Sequence, residues 1–219
     1  MKKVASKERP KRTTKKSILG FDLERITRTH SYVPITILSV ASIGFLVWGI
    51  LYTDIAWYAM IGTFAVGMLG FTLLEYSIHR FLYHIQSDSK WLDKVKYTAH
   101  GIHHEHPRDE EHLAMPPILS ALLTTLVLWG VYQLVGDYSF FFTPGLILGY
   151  AAYLFIHYVI HVYRPPKNFL RVLWTHHAVH HYKDDSVNYG VSSPLWDHIF
   201  GTLPKKAYKV IKDVQGKRE

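Results

Sequence analysis

The sequence predicts an all-α integral membrane protein: four transmembrane helices with a cytosolic helical cap holding a dimetal histidine site. Three observations carry that expectation. Long uncharged apolar runs recur four times along the 219 residues. The 25 Lys and Arg residues are confined to three blocks, ten in 1–32, five in 80–108 and ten in 164–219. Ten of the fifteen histidines stand in four short clusters between positions 79 and 181, where the apolar runs begin or end.

Residues 1–32 form a basic N-terminal segment. Met1 to Ser17 is polar, with Lys2-Lys3, Lys11-Arg12 and Lys15-Lys16. It lacks the apolar core and small-residue cleavage site of a signal peptide and is expected to be solvated or to touch anionic lipid. Phe21 to His30 mixes apolar and charged residues, as a short interfacial helix would. The membrane domain follows over 33–204, with spans expected at about 33–53, 55–78, 117–135 and 140–160. Each is about 20 residues, enough at about 1.5 Å per residue to cross a hydrocarbon core of about 30 Å.

Val33 to Thr53 carries no charge, and Asp54 turns it into a second run whose only charge is Glu75. So short a turn makes an antiparallel hairpin, returning the chain to its starting side where His79 appears. Arg80 to Pro116 is polar; Trp91 to His106 is expected to be helical and Pro107 to end it. The third run leads through Gly136-Asp137 into the fourth, which finishes on His157 and His161. Arg164-Pro165-Pro166 then breaks the helix. Asn168 to Tyr182 is a helix candidate, Lys183-Asp184-Asp185 and Gly190 read as a loop, and Ser193 is a candidate cap for a short helix from Pro194. Residues 205–219 are a charged tail. Under the positive-inside rule the basic blocks, both termini and the histidine clusters face the cytoplasm. The basic excess follows membrane sidedness, so no nucleic-acid partner is expected.

The clusters are His79/His84, His100/His103/His104, His157/His161 and His177/His180/His181. Positions i, i+3 and i+4 share a helix face, so each trio is expected to aim at one point, as are His157 and His161. His79 and His84, about 140° apart on a regular helix, require either a distorted helix or two different targets; two targets are expected. A lone histidine on an apolar face is ordinarily a hydrogen-bonded core residue, which is the reading for His30, His112 and His198. Ten clustered histidines exceed one ion, and a pair of first-row metals with roughly four or five imidazoles each is the simplest arrangement. The chain has no cysteine, which excludes disulfides, thiolate zinc and iron–sulfur clusters.

Glu75, Glu105, Asp185 and Asp197 are candidates to hold imidazole N–H groups. Tyr150, Tyr153, Tyr158 and Trp174 could line an apolar pocket or anchor helix ends at the interface. His104-Glu105-His106 lacks the spacing of H-E-x-x-H, and no phosphate loop, G-x-S-x-G or thiol nucleophile is present. A dimetal site at the membrane boundary suits oxygen chemistry on a lipid, although spacing does not separate iron from zinc. A non-catalytic metal-binding or transport protein is the contrasting reading. Spans with essentially no mid-membrane ionisable groups count against transport.

The stretches Glu75-Tyr76 with HRFLYH, HGIHH, Gly149-Tyr150 with HYVIH, HHAVHHY, and Gly190-Val191-Ser192 with WDHIFGT resemble the integral-membrane fatty acid hydroxylase superfamily of histidine-box di-iron proteins, and within it the fatty acid 2-hydroxylases. The resemblance implies metal ligation by His79, His84, His100, His103, His104, His157, His161, His177, His180 and His181, with two iron ions and O2 as co-substrate. Zinc could replace iron in purified protein. It implies hydroxylation of a long-chain acyl group at C2, in a free acid or a sphingolipid, with carotenoid or sterol oxidation as the alternative within the superfamily. Tyr150, Tyr153, Leu154 and Trp174 are the expected substrate neighbours, Leu154 standing where 2-hydroxylases tend to carry an acidic residue. The chain shows no fused cytochrome b5 domain, so a separate b5-like carrier, ferredoxin or reductase is expected to supply electrons. That absence and the short length suggest a bacterial inner membrane rather than the endoplasmic reticulum.

Overall fold

The computed structural model describes residues 29–85, 87–110, 113 and 117–205. The interfacial helix expected over 21–30 falls almost wholly outside these residues, as do His112 and most of the tail. Helices in chain order are α1 (Tyr32–Tyr52), α2 (Trp57–Ile78), α3 (Lys90–Lys96), α4 (Ile102–Glu105), α5 (Pro117–Val135), α6 (Ser139–Val162), α7 (Arg171–Tyr182) and α8 (Leu195–Ile199). A π-helical turn, His79–Tyr83, extends α2; a second, Tyr97–Gly101, joins α3 to α4; a 3-10 turn, Gly136–Tyr138, joins α5 to α6. No strand occurs among the described residues. The described residues divide into two compact units, one within 29–71 and 110–155 and one within 72–109 and 156–205.

The first unit is helical and apolar on nearly all sides. Three segments are long and apolar enough to cross a membrane: Tyr32–Tyr52, Trp57–Tyr83 and the 43-residue stretch Ser120–Val162. Their outward residues stay apolar, with Val40, Ile43, Ile61 and Trp129 each more than 60% exposed. A helix apolar all round belongs in a lipid environment. Within the unit α1 and α6 run antiparallel: Gly49 meets the ring of Phe141, the Ser42 hydroxyl donates to Pro144 O, and Leu38 packs with Ile147, Ala151 and Leu154. Pro144 has no N–H to give within α6, and its carbonyl takes the Ser42 bond.

Helices α2 and α6 touch backbone to backbone. A Cβ on Gly67 would lie 2.1 Å from Phe142 O, and one on Gly145 2.2 Å from Phe64 O. Small residues let membrane helices approach this closely, and the contact is dispersion-driven. Gly145→Val must push the helices apart, and overpacking of this kind costs about 1–3 kcal/mol. Gly145→Val is expected to lower the unfolding midpoint in detergent clearly, whereas Gly44→Val, with nothing within 4 Å of its Cβ position, is expected to leave it nearly unchanged.

The second unit carries all ten clustered histidines. Continuous helical backbone from Lys90 to Glu105 agrees with the helix expected over 91–106, but its middle is π-helical. The helix expected from Asn168 begins at Arg171, because Asn168 Oδ1 accepts from Leu170 N in a preceding turn. Ser193 Oγ accepts from Leu195 N at the start of α8. His198, expected as a core residue, is exposed.

Candidate metal centre

All ten clustered histidines converge, in two groups of five. His79, His84, His100, His104 and His180 form group A; His103, His157, His161, His177 and His181 form group B. In each group one nitrogen per ring lies within 4.8 Å of all the others. In group A the Nε2 atoms of His79 and His104 stand 3.0 and 2.9 Å from His100 Nε2. In group B the Nε2 atoms of His157 and His177 stand 3.1 and 2.8 Å from His161 Nε2.

Two expectations are corrected. The trios do not each aim at one point. His100 and His104, four apart, enter group A while His103 enters group B; His177 and His181 enter group B while His180 enters group A. Positions i and i+4 lie about 40° apart, whereas i+3 lies about 60° away on the other flank and about 100° from i+4, enough to reach the neighbouring group. Nor do His79 and His84 serve different targets: both belong to group A, with ring centroids 5.1 Å apart. The distorted helix supplies the reason. His79–Tyr83 is π-helical, and an i→i+5 ladder returns residues five apart to the same side.

Burial and mutual proximity set the charge. His103, His177 and His180 are 4%, 1% and 1% exposed. Burial, then the neighbouring imidazoles, hold His100, His103, His177 and His181 well below the ordinary histidine range. Burial pushes His104 down to about 4 and His180 to about 3. Neutral imidazole is the form that binds metals. His84 Nε2, His180 Nε2 and both ring nitrogens of His103 and His181 are buried without a hydrogen-bond partner. Buried polar atoms are normally satisfied; nitrogens crowded together and left over suit metal ions. The donor set therefore fits two first-row cations.

The loop after α7 supports group A. Tyr189 O and Val187 O accept from Nδ1 of His79 and His180 at 2.5 and 2.8 Å, leaving each Nε2 inward. Asp197 holds this loop rather than a clustered imidazole, accepting from Tyr189 N, Gly190 N, the Thr202 hydroxyl and His176 Nε2 at 2.8, 2.8, 2.6 and 3.0 Å. Burial raises the Asp197 carboxyl, but these bonds outweigh it and hold it below its ordinary value. Glu75 likewise takes Val191 N, Ser192 N and the Ser192 hydroxyl. Glu105 accepts from the Tyr97 hydroxyl. Asp185 alone of the four acids approaches a clustered histidine, at 3.8 Å from His84 Nδ1. His176 belongs to neither group. The loop carbonyls left no sequence signal, since any residue supplies one; the turn residues Asn188 and Gly190 beside a WD pair were the only hint.

A shallow, partly open cleft is lined by Arg108, Trp174, Tyr182 and the group B residues His161, His177 and His181. Trp174 is fixed there by its indole N–H on Tyr163 O. Tyr150 and Tyr153 pack against Phe71 and, with Leu154, in the helical core around Leu38.

Residues 64–202 match the family model for fatty acid hydroxylases. The chain is 39% identical over 148 residues to dihydroceramide fatty acyl 2-hydroxylase of Arabidopsis thaliana, covering 64% of this chain and 60% of that protein. It is 35% identical over 193 residues to ceramide very long chain fatty acid hydroxylase scs7 of Schizosaccharomyces pombe, covering 84% of this chain and 54% of that one. The chain thus spans somewhat more than half the length of these relatives. A solved structure of full-length scs7p, with only the hydroxylase domain visible, superposes with a TM-score of 0.77 at 29% identity, covering 89% of this chain and 74% of that one. These relatives are eukaryotic and lend no support to a bacterial inner membrane. A family match from α2 to the end of the Asp197-held loop takes in every residue of both histidine groups, and the chain belongs to the fatty acid hydroxylase family.

Proposed function

We propose that the ten histidines hold two iron ions, one per group, and that the chain hydroxylates a long-chain fatty acyl group at C2. The observation that carries this is the pair of interleaved five-histidine groups, seven of whose ten imidazoles are buried and the other three half-buried. Five nitrogens are more than a closed tetrahedral zinc site uses. With no two ligand nitrogens of a group more than 4.8 Å apart, all five could share one ion, and imidazole donors suit iron with an open position. Zinc accepts the same nitrogens and would fill them in protein purified without iron.

The overall reaction takes the acyl C–H, O2, two electrons and two protons to the alcohol and water. The bound metals supply dioxygen activation and substrate oxidation. The chain holds the imidazoles neutral, fixes the tautomers of His79 and His180 through Tyr189 O and Val187 O, and leaves one group bordering a cleft. The electrons come from a separate donor, such as a b5-like carrier, a ferredoxin or a reductase. The relatives named for ceramide and dihydroceramide acyl chains support a sphingolipid-linked substrate.

Four spans are the arrangement proposed for the first unit. One straight helix of the 43 residues Ser120–Val162 would measure roughly 65 Å, about twice a hydrocarbon core of roughly 30 Å. The helix breaks at Val135, φ −127°, and Gly136, φ +57°, and Tyr132 and Phe140 meet across the break at 6.0 Å. Two crossings here, added to α1 and α2, would bring the histidine-bearing ends of the helices to one side, the cytoplasmic one under the positive-inside rule.

Mass spectrometry of total hydrolysed lipids from cells with and without the chain tests the activity. The expected result is one added oxygen at C2 of long acyl chains, absent when His177, His180 and His181 are all replaced by alanine. Oxidised sterols or carotenoids with unchanged acyl chains would refute the acyl assignment.

A further inference from the structure

The two histidine groups draw very different support from the protein around them. Five consecutive backbone amides are each tied down: Asn188 N to Thr202 O, Tyr189 N and Gly190 N to Asp197, and Val191 N and Ser192 N to Glu75. Asn188 takes a left-handed conformation, φ 59°, and its Nδ2 donates to His176 O. Gly190 has no room for a side chain, since a Cβ would lie 2.2 Å from Ser193 O and 2.9 Å from Asp197 Oδ2. A segment fixed at every amide can place its carbonyls closely. The carbonyls of Val187 and Tyr189 both go to group A, on His180 and His79.

Three of the five group B rings lack such a frame. Nδ1 of His103, His177 and His181 is buried with no hydrogen-bond partner, so nothing at that atom fixes the ring's tautomer. Three of its members, His161, His177 and His181, also line the open cleft.

We infer that the two metal positions are unequal by construction: group A is a preorganised, slowly exchanging site set by Asp197 and Glu75 acting through the 187–192 loop, and group B is a labile site open to small exogenous ligands. Asp197 and Glu75 are positioning residues. They are hydrogen-bonded to no member of either group, yet they fix the two carbonyls that orient His79 and His180. An oriented ring that donates from Nδ1 to a carbonyl is also a more basic ligand at Nε2. Loss of such outer support typically costs about 10–100-fold in metal affinity, and here that loss falls on one ion of two.

The inference rests on the two-ion reading, and one experiment separates them. The full chain in detergent is loaded with Fe(II) or Zn(II), its metal content is measured, and release to a chelator is followed in time. Two ions leaving in two phases is the expected result. His181→Ala should abolish the fast phase and His180→Ala the slow one. Asp197→Asn places an amide N–H against the Gly190 or Tyr189 N–H, and should speed the slow phase by about tenfold or more while leaving the fast phase unchanged. Ser192→Ala, a milder change at the Glu75 end, should speed the same phase by less. A merely structural role for Asp197 would speed both phases together. A single release phase from the wild type, equal acceleration of both phases, or a slow phase that survives His180→Ala would overturn the inference. Fewer than two ions in the loaded wild type would instead overturn the two-ion reading itself.

Discussion

His103→Ala is expected to abolish hydroxylation, by more than about a hundredfold, since outer-support losses alone reach that size. The change should leave the protein inserted and folded. His103 is 4% exposed, and its ring lies 4.5, 4.6 and 4.7 Å from those of His157, His161 and His181. It sits in α4 between two residues of the other group, so it is the one member of HGIHH that serves group B. Neither of its ring nitrogens has a hydrogen-bond partner, which removes the ordinary structural reason for a buried histidine. Alanine would leave group B with four nitrogens and an open place. The measurement is C2-hydroxylated acyl product per folded protein, together with metal content. Full activity with two ions retained would remove His103 from the site and make it a packing residue.

Much of this site was legible because metal ligands are scarce, titratable and clustered, and because apolar runs in lipid need no tertiary context to be recognised. The ten histidines that come together and, among the described residues, three segments long and apolar enough to cross a membrane could be read that way. How the ligands divide was not legible. The division depends on whether His79–Tyr83 is α- or π-helical, a difference of one residue per turn set by packing rather than by side-chain identity. The acids show a second limit. Asp197 and Glu75 were singled out as partners for imidazoles, but a carboxylate satisfies any donor, and the nearest donors are the amides of the 187–192 loop. Leu154 and its neighbours Tyr150 and Tyr153 show a third, because a side chain that packs helices and one that lines an acyl chain have the same character in sequence.

The metal-free chain is expected to be strongly destabilised between pH 7 and pH 5. A histidine whose folded-state pKa is depressed contributes nothing to the pH dependence above its unfolded value of about 6.5, where both states are neutral. Below that pH the unfolded chain takes up protons that the native chain refuses. His104 and His180 stay neutral in the native chain until about pH 4 and pH 3. At pH 5 each therefore costs about 2 kcal/mol relative to pH 7.5. His100, His103, His177 and His181 are held down by the same burial and act in the same direction. His104 and His180 alone thus offset a substantial part of the stability of an ordinary domain, about 5–15 kcal/mol. Bound metal opposes the loss, because an ion on Nε2 competes with the proton and binds only the native chain. Tryptophan fluorescence against pH should thus give an acid midpoint that is lower for the loaded than for the metal-free protein, with proton uptake when the ions leave. A metal-free chain equally stable at pH 5 and pH 7.5 would mean that the histidines already stand in water, and the two buried groups would not exist in solution.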